Sequence, residues 1–255
     1  MINSVSVPDS YLPAPNCLKD RVILVTGAGQ GLGRVAALAY ARHGATIILL
    51  GRTVKKLEAV YDEIERTGGA QPAIFPLDYA KATQADFDAL AHTIRQNFSR
   101  LDGIFHGVSH FVSSMPMALH ELPMWEQHCR INLVVPAVLT KSCFPLLQKS
   151  NASSVVFLTE NHAINPKAYW GPFAVTKGAL NNLVQVWSDE IEPPVAPRFN
   201  LCLPGPVASP MRAKSHPGEM ASSLRQPEFL ESAFVYLMEP ASQSLRGSLL
   251  VCQSP

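Results

Sequence analysis

Three groups of residues in this 255-residue chain have types and spacings suited to chemistry. The first is Thr26-Gly27-Ala28-Gly29-Gln30-Gly31-Leu32-Gly33. It lies between a nearly continuous apolar run at 21–25 and a stretch at 34–43 with Val35, Leu38 and Ala39 at helical spacing. Strand, tight turn and helix start, in that order, aim backbone N–H groups at an anion. Glycine there tolerates positive φ and lets a pyrophosphate approach the backbone. Taken alone the run also suits a strand-to-helix turn without a ligand, but with a second apolar strand at 45–50 it reads as a dinucleotide site. The second group is Gly51-Arg52. About 20 residues past such glycines an acidic residue would accept hydrogen bonds from a ribose 2′-OH. No carboxylate is near, and a guanidinium instead meets a 2′-phosphate through two parallel bonds, with Arg34 or Lys55 to assist. The expectation is NADP rather than NAD, the alternative being a surface arginine at a strand end. The third is Asn132, four residues before Pro136. Proline has no N–H and its ring crowds the carbonyl of residue 132, which frees that carbonyl or simply kinks a structural helix around a buried Asn.

The elements that must position these groups alternate along the chain. Residues 45–50, 73–77, 101–108, 154–159, 198–203 and 248–252 read as further strands. Helices are expected after Thr53, over 87–98, over 121–148, over 172–191 with Pro at its first turn, and over 229–238. Residues 1–17 read as an irregular arm, 18–255 as a single dinucleotide-binding domain, and the Pro-, Ser- and Gly-rich stretch 204–227 as a substrate loop. The alternation predicts an α/β fold, a Rossmann-type doubly wound parallel sheet of about seven strands flanked by helices.

Composition narrows the partners. Lys+Arg 21 against Asp+Glu 20 gives a net charge of +1, so neither nucleic acid nor a membrane surface is expected. Five cysteines without C-x-x-C spacing point to reduced thiols rather than disulfides or a metal site. The start lacks a basic segment followed by an apolar one, and a cytoplasmic location is expected.

Over residues 18–252 the sequence resembles the short-chain dehydrogenase/reductase family. The resemblance rests on the 26–33 turn, Leu77-Asp78, Asn132, Lys177 and Pro204-Gly205. Leu49-Leu50-Gly51-Arg52, Trp170-Gly171 and Met211-Arg212-Ala213 are similar to its bacterial YciK-like branch. It implies a nicotinamide cofactor across the C-terminal strand ends and a homodimer or homotetramer built on the two long helices. It also implies a tetrad of Asn, Ser, Tyr and Lys: Tyr protonates a carbonyl as hydride arrives, Lys lowers the Tyr pKa and holds the ribose, Ser polarises the carbonyl, and Asn holds a relay water. By the same resemblance Asp78 contacts the adenine amino group or simply ends its strand, Gly107 lines the cofactor pocket, and Pro204, Gly205 and Ser209 face the nicotinamide end.

Two tetrad positions depart from the pattern. Tyr-x-x-x-Lys reads Phe173-Ala174-Val175-Thr176-Lys177, and the Ser position is Glu160. Phe has no proton to give, so the standard general acid is missing. Glu160, Thr159, Tyr169, His110 and His162 are alternative acids, or Glu160 and Lys177 form an ion pair that fills the pocket. Three functions follow: an NADP(H)-dependent oxidoreductase with Asn132, Glu160, Phe173 and Lys177 in retained or altered roles; a catalytically silent nucleotide-binding protein acting by association; and a non-redox enzyme using the carboxylate for dehydration or isomerisation.

Overall fold

The computed structural model describes residues 2–191, Val195 and 197–253. In chain order the elements are β1 (Asn3–Val5), β2 (Val22–Thr26), α1 (Gly31–Arg42), β3 (Thr46–Gly51), α2 (Val54–Arg66), β4 (Ala73–Pro76), α3 (Gln84–Phe98) and β5 (Gly103–His106). They continue with α4 (Leu122–Cys129), α5 (Val135–Leu147), β6 (Ser154–Leu158), α6 (Gly171–Glu190), β7 (Arg198–Leu203), α7 (Pro210–Ser215), α8 (Glu231–Met238) and β8 (Ser248–Val251).

Side chains alternate across a strand, so a strand buried on both faces must be apolar at every position. Ile23, Val25, Ile47, Leu49 and Phe105 enter a core completed by α1, α2 and α8. Leu24, Ile48, Leu50 and Ile104 enter a second core with α3, α5 and α6. The sheet between them is wholly parallel, in the order β1-β8-β7-β6-β5-β2-β3-β4. From β2 the chain winds outward through β3 and β4, then returns to lay β5 on the other side of β2. That reversal opens a crevice beyond the C-terminal ends of β2 and β5, where such sheets bind ligands.

Two expectations change. The N-terminal arm is not wholly irregular: Asn3–Val5 pairs with Ser248–Leu250 and makes the sheet eight-stranded. Three residues on an edge need only one row of backbone hydrogen bonds, which leaves no side-chain period to read. The long helix over 121–148 is two α-helices joined by a π turn, Arg130–Val134. Pro136 cannot donate to the carbonyl of Asn132, and the ladder widens just before it. Among the described residues, Leu122–Leu147 is also long and apolar enough to cross a membrane, yet half of it is buried. Its Ile131, Val135, Leu139 and Cys143 belong to the second core, so packing accounts for its composition.

Candidate active site

A cleft of about 590 Å³ follows the crevice. It is lined by Gly27, Gly29, Gln30, Gly31, Leu32, Arg52, Asp78, Gly107, Glu160, Phe173, Lys177, Pro204, Gly205 and Ser209, among others. The glycine turn is shaped by contacts a side chain would prevent. Gly27 has φ +70, and a Cβ there would lie 3.3 Å from the backbone of Gly107. Gly33 does not line the cleft; its Cβ would stand 2.3 Å from the Gly27 carbonyl oxygen, so it lets α1 pack under the turn. Thr26 Oγ1 accepts from the Gly107 N–H at 3.1 Å and ties the two loops together. Gln30 starts α1 without a side-chain cap, and no acidic residue sits in the first turn. The leading N–H groups of this twelve-residue helix thus face the cleft with no side-chain acceptor, which fits a pyrophosphate.

At the far end of the glycine turn, Arg52 lines the cleft exposed and makes no ion pair among the described residues. Arg34 is not available to assist it, being bound to Glu63. Lys55 lies outside the cleft wall, whereas Lys56, bonded to Gln30 Oε1, is part of it. Helical geometry decides this, since adjacent residues on α2 point about 100° apart. Asp78 lines the cleft while its Oδ1 accepts from the Ala80 N–H at 3.0 Å, closing the turn after β4.

The other end carries the tetrad positions. Lys177 is buried and donates to the Leu158 carbonyl oxygen at 2.8 Å. Burial lowers its pKa to about 8, against the opposing pull of the Glu160 carboxylate. The alternative in which Glu160 forms an ion pair with Lys177 does not hold. The short 3-10 turn Asn161–Ala163 brings His162 back, and its Nδ1 lies 2.7 Å from Glu160 Oε2. The second carboxylate oxygen, Oε1, is buried with no hydrogen-bond partner. Phe173 is buried with its ring centroid 5.3 Å from Phe111 and 6.0 Å from Trp170, and Trp170 stacks on His162 at 3.6 Å.

Asn132 is buried behind the cleft rather than in its wall. Its Oδ1 accepts from the His110 N–H at 2.7 Å, and its Nδ2 donates to the His110 carbonyl at 2.9 Å and to Thr176 Oγ1 at 3.2 Å. Its side chain therefore positions the loop after β5 against α6. Of the alternative acids, Thr159 donates to Asn181 Oδ1 at 2.8 Å, and Tyr169 lies outside the cleft wall. His110 lines the cleft, but burial and then the nearby His128 lower its pKa to about 4, so it is neutral at physiological pH. Of the alternative acids, Glu160 and His162 line the cleft together with Phe173 and Lys177.

Ser209 lines the cleft and its oxygen also accepts from the Arg212 N–H at 3.1 Å, capping α7. Sequence reasoning missed Gln253. Its Nε2 donates to the carbonyls of Pro204 at 3.0 Å and Pro206 at 2.8 Å, bracing the loop in which Gly205 has φ +74. A lone Gln near a C-terminus carries no spacing that would single it out.

The short chain dehydrogenase family profile matches residues 21–220. The oxidoreductase YciK of Escherichia coli K12, whose activity is uncharacterized, is 37% identical over 237 residues, 93% of each chain. A solved structure of YciK from E. coli superposes with a TM-score of 0.92 at 36% identity, covering 96% of this chain and 100% of that one. A Shigella flexneri 2a structure complexed with NADP superposes with a TM-score of 0.91 at 36% identity, covering 94% of this chain and all of that one.

Proposed function

This chain belongs to the short-chain dehydrogenase/reductase family, and from that membership we propose that it binds NADP(H) and transfers hydride to or from a small substrate, with ordinary carbonyl and alcohol chemistry impaired. The observation that carries the cofactor reading is Arg52, exposed and without an ion pair among the described residues, just past β3 where an NAD site would place a carboxylate. The relative solved with NADP supports it. The uncapped start of α1, Gly27, Gly29 and Gly31 would hold the pyrophosphate, Arg52 and Lys56 a 2′-phosphate, and the loop at Pro204–Gly205 with Ser209 the nicotinamide end.

When bound, the cofactor supplies hydride. The chain's own residues decide where protons go. Lys177 holds its ammonium on the Leu158 carbonyl, facing a site whose family phenol is here the ring of Phe173. When a carbonyl carbon gains hydride, its oxygen takes the π pair as an alkoxide and needs a proton at once; Phe173 offers none, and Glu160 opposes the charge. That same loss favours a second reading, a catalytically silent nucleotide-binding protein. Five free cysteines support a cytoplasmic setting.

Calorimetric titration with NADPH and NADH tests the cofactor reading, with tighter NADPH binding expected. Equal affinities, or no binding of either, would overturn it. Turnover across a panel of aldehydes, ketones and diones then separates an impaired enzyme from a silent one.

A further inference from the structure

Phe173 and Glu160 each disfavour a carbonyl, and together they describe a different electrophile. Addition of hydride to C=O creates negative charge on oxygen, which needs a donor. Addition to a protonated C=N bond destroys positive charge and needs none. The surroundings of Glu160 fit such a cation. One carboxylate oxygen is held by His162 at 2.7 Å, and the other is buried without a partner. Glu160 lines the cleft, so an N–H⁺ group there would meet its carboxylate with a charge-assisted bond, which a neutral carbonyl oxygen cannot form. The cleft wall beside that carboxylate is aromatic: Trp170 and Phe173 line it with Glu160. Aromatic faces next to a carboxylate favour organic cations. The Lys177 ammonium keeps its charge while bound to the Leu158 carbonyl but is offset by the nearby Glu160 carboxylate, and His110 is neutral.

We propose that the substrate of this site is a protonated imine and its product a secondary amine, with Glu160 as the group that binds the cationic nitrogen. The inference rests on the NADP(H) reading above. In the step, the iminium carbon gains a hydride from NADPH, forming the new C–H bond. The C=N π pair becomes the nitrogen lone pair, the nitrogen keeps the proton it arrived with, and NADP⁺ is the oxidised product. The protein supplies no proton. Phe173 then has a positive role, excluding water from the iminium, which would otherwise be hydrolysed.

The test compares 3,4-dihydroisoquinoline with α-tetralone, a ketone of matched shape, at fixed pH with NADPH. Wild type is expected to reduce the imine at least about a hundredfold faster, the low end of what a proton donor contributes to the ketone reaction. A second readout needs no turnover: the product amine, 1,2,3,4-tetrahydroisoquinoline, should quench Trp170 fluorescence on binding, and Glu160→Gln should weaken that binding at least about tenfold, as loss of a charge-assisted bond implies. NADPH is titrated separately into each protein. NADPH binding without imine preference, or amine binding unaffected by Glu160→Gln, overturns this inference alone. Failure to bind NADPH overturns the cofactor reading and the imine step with it.

Discussion

Lys177 Nζ donates to the main-chain carbonyl of Leu158 at 2.8 Å, joining the middle of α6 to the last residue of β6. This bond places Glu160, two residues beyond β6, beside Lys177 and Phe173. It also buries an ammonium, with a consequence for stability. The pKa falls from 10.5 to about 8, so below pH 8 the fold carries the cost of a buried charge. Between pH 8 and 10.5 the folded protein has released that proton while the unfolded chain still holds it, and the cost disappears as pH rises. Wild type should therefore gain stability relative to Lys177→Met across that window, by at most about 3 kcal/mol. Urea denaturation of both proteins at pH 7.5 and pH 10.5 measures it; a difference independent of pH would contradict the assignment.

Among the described residues Arg52 makes no ion pair, whereas Arg34 is bound to Glu63. Arg52→Ala should narrow the preference for NADPH over NADH by about 1–2 kcal/mol, toward the low end for a hydrogen bond to a charged group because Arg52 is exposed. Calorimetric titration of both cofactors into both proteins checks this. Arg34→Ala should leave the preference in place.

The two tetrad departures are expected to be reversible. A phenol at 173 would lie one helical turn from Lys177, on the same face of α6. Phe173→Tyr combined with Glu160→Ser should raise NADPH-dependent reduction of α-tetralone by at least about a hundredfold, as for a restored acid–base group. Phe173→Tyr alone should gain less, because Glu160 still repels the developing alkoxide. NADPH oxidation with cofactor binding confirmed for each variant gives the comparison.

Gly33 tests the packing of the cradle. A Cβ there meets the Gly27 carbonyl oxygen at 2.3 Å, a backbone atom that cannot swing aside. Gly33→Ala should cost about 1–3 kcal/mol or more in chemical denaturation, as overpacking does, and should weaken NADPH binding. Gly218→Ala, with nothing within 4 Å of the added carbon, is the control and should stay within about 0.5 kcal/mol of wild type.

Assembly through the long helices is also open to test, and we propose a homodimer or homotetramer. In the segments 121–148 and 172–191, Leu180 is in the core, whereas Val134 and Val186 are 47% and 53% exposed. Val175, at 50%, adds to the same helix. Sedimentation should show an oligomer at about ten micromolar or above, since stable homodimer interfaces bury over about 2,000 Å². A monomer there would contradict the proposal.

The sequence by itself determined the parallel sheet, because β2, β3 and β6 each hold an unbroken run of four apolar residues and strands covered on both faces need that. It determined the glycine turn and the loss of the phenol, since both are statements about residue type at fixed local spacing. Its limit was partnership. Whether Arg34 or Lys56 serves the cleft depends on where Glu63 and Gln30 stand, residues 29 and 26 positions away from the groups they bind. Whether Glu160 meets Lys177 or His162 depends on one 3-10 turn and on a carbonyl already occupied. Asn132 was legible as a special position through Pro136, but its grip on His110 required the loop after β5 to fold back onto the π turn between α4 and α5. Gln253 had no local signal, and only the pairing of β7 with β8 brings it under the Pro204 loop. Spacing along the chain fixes conformation, whereas hydrogen-bond partners many residues apart are chosen by competition within the packed structure.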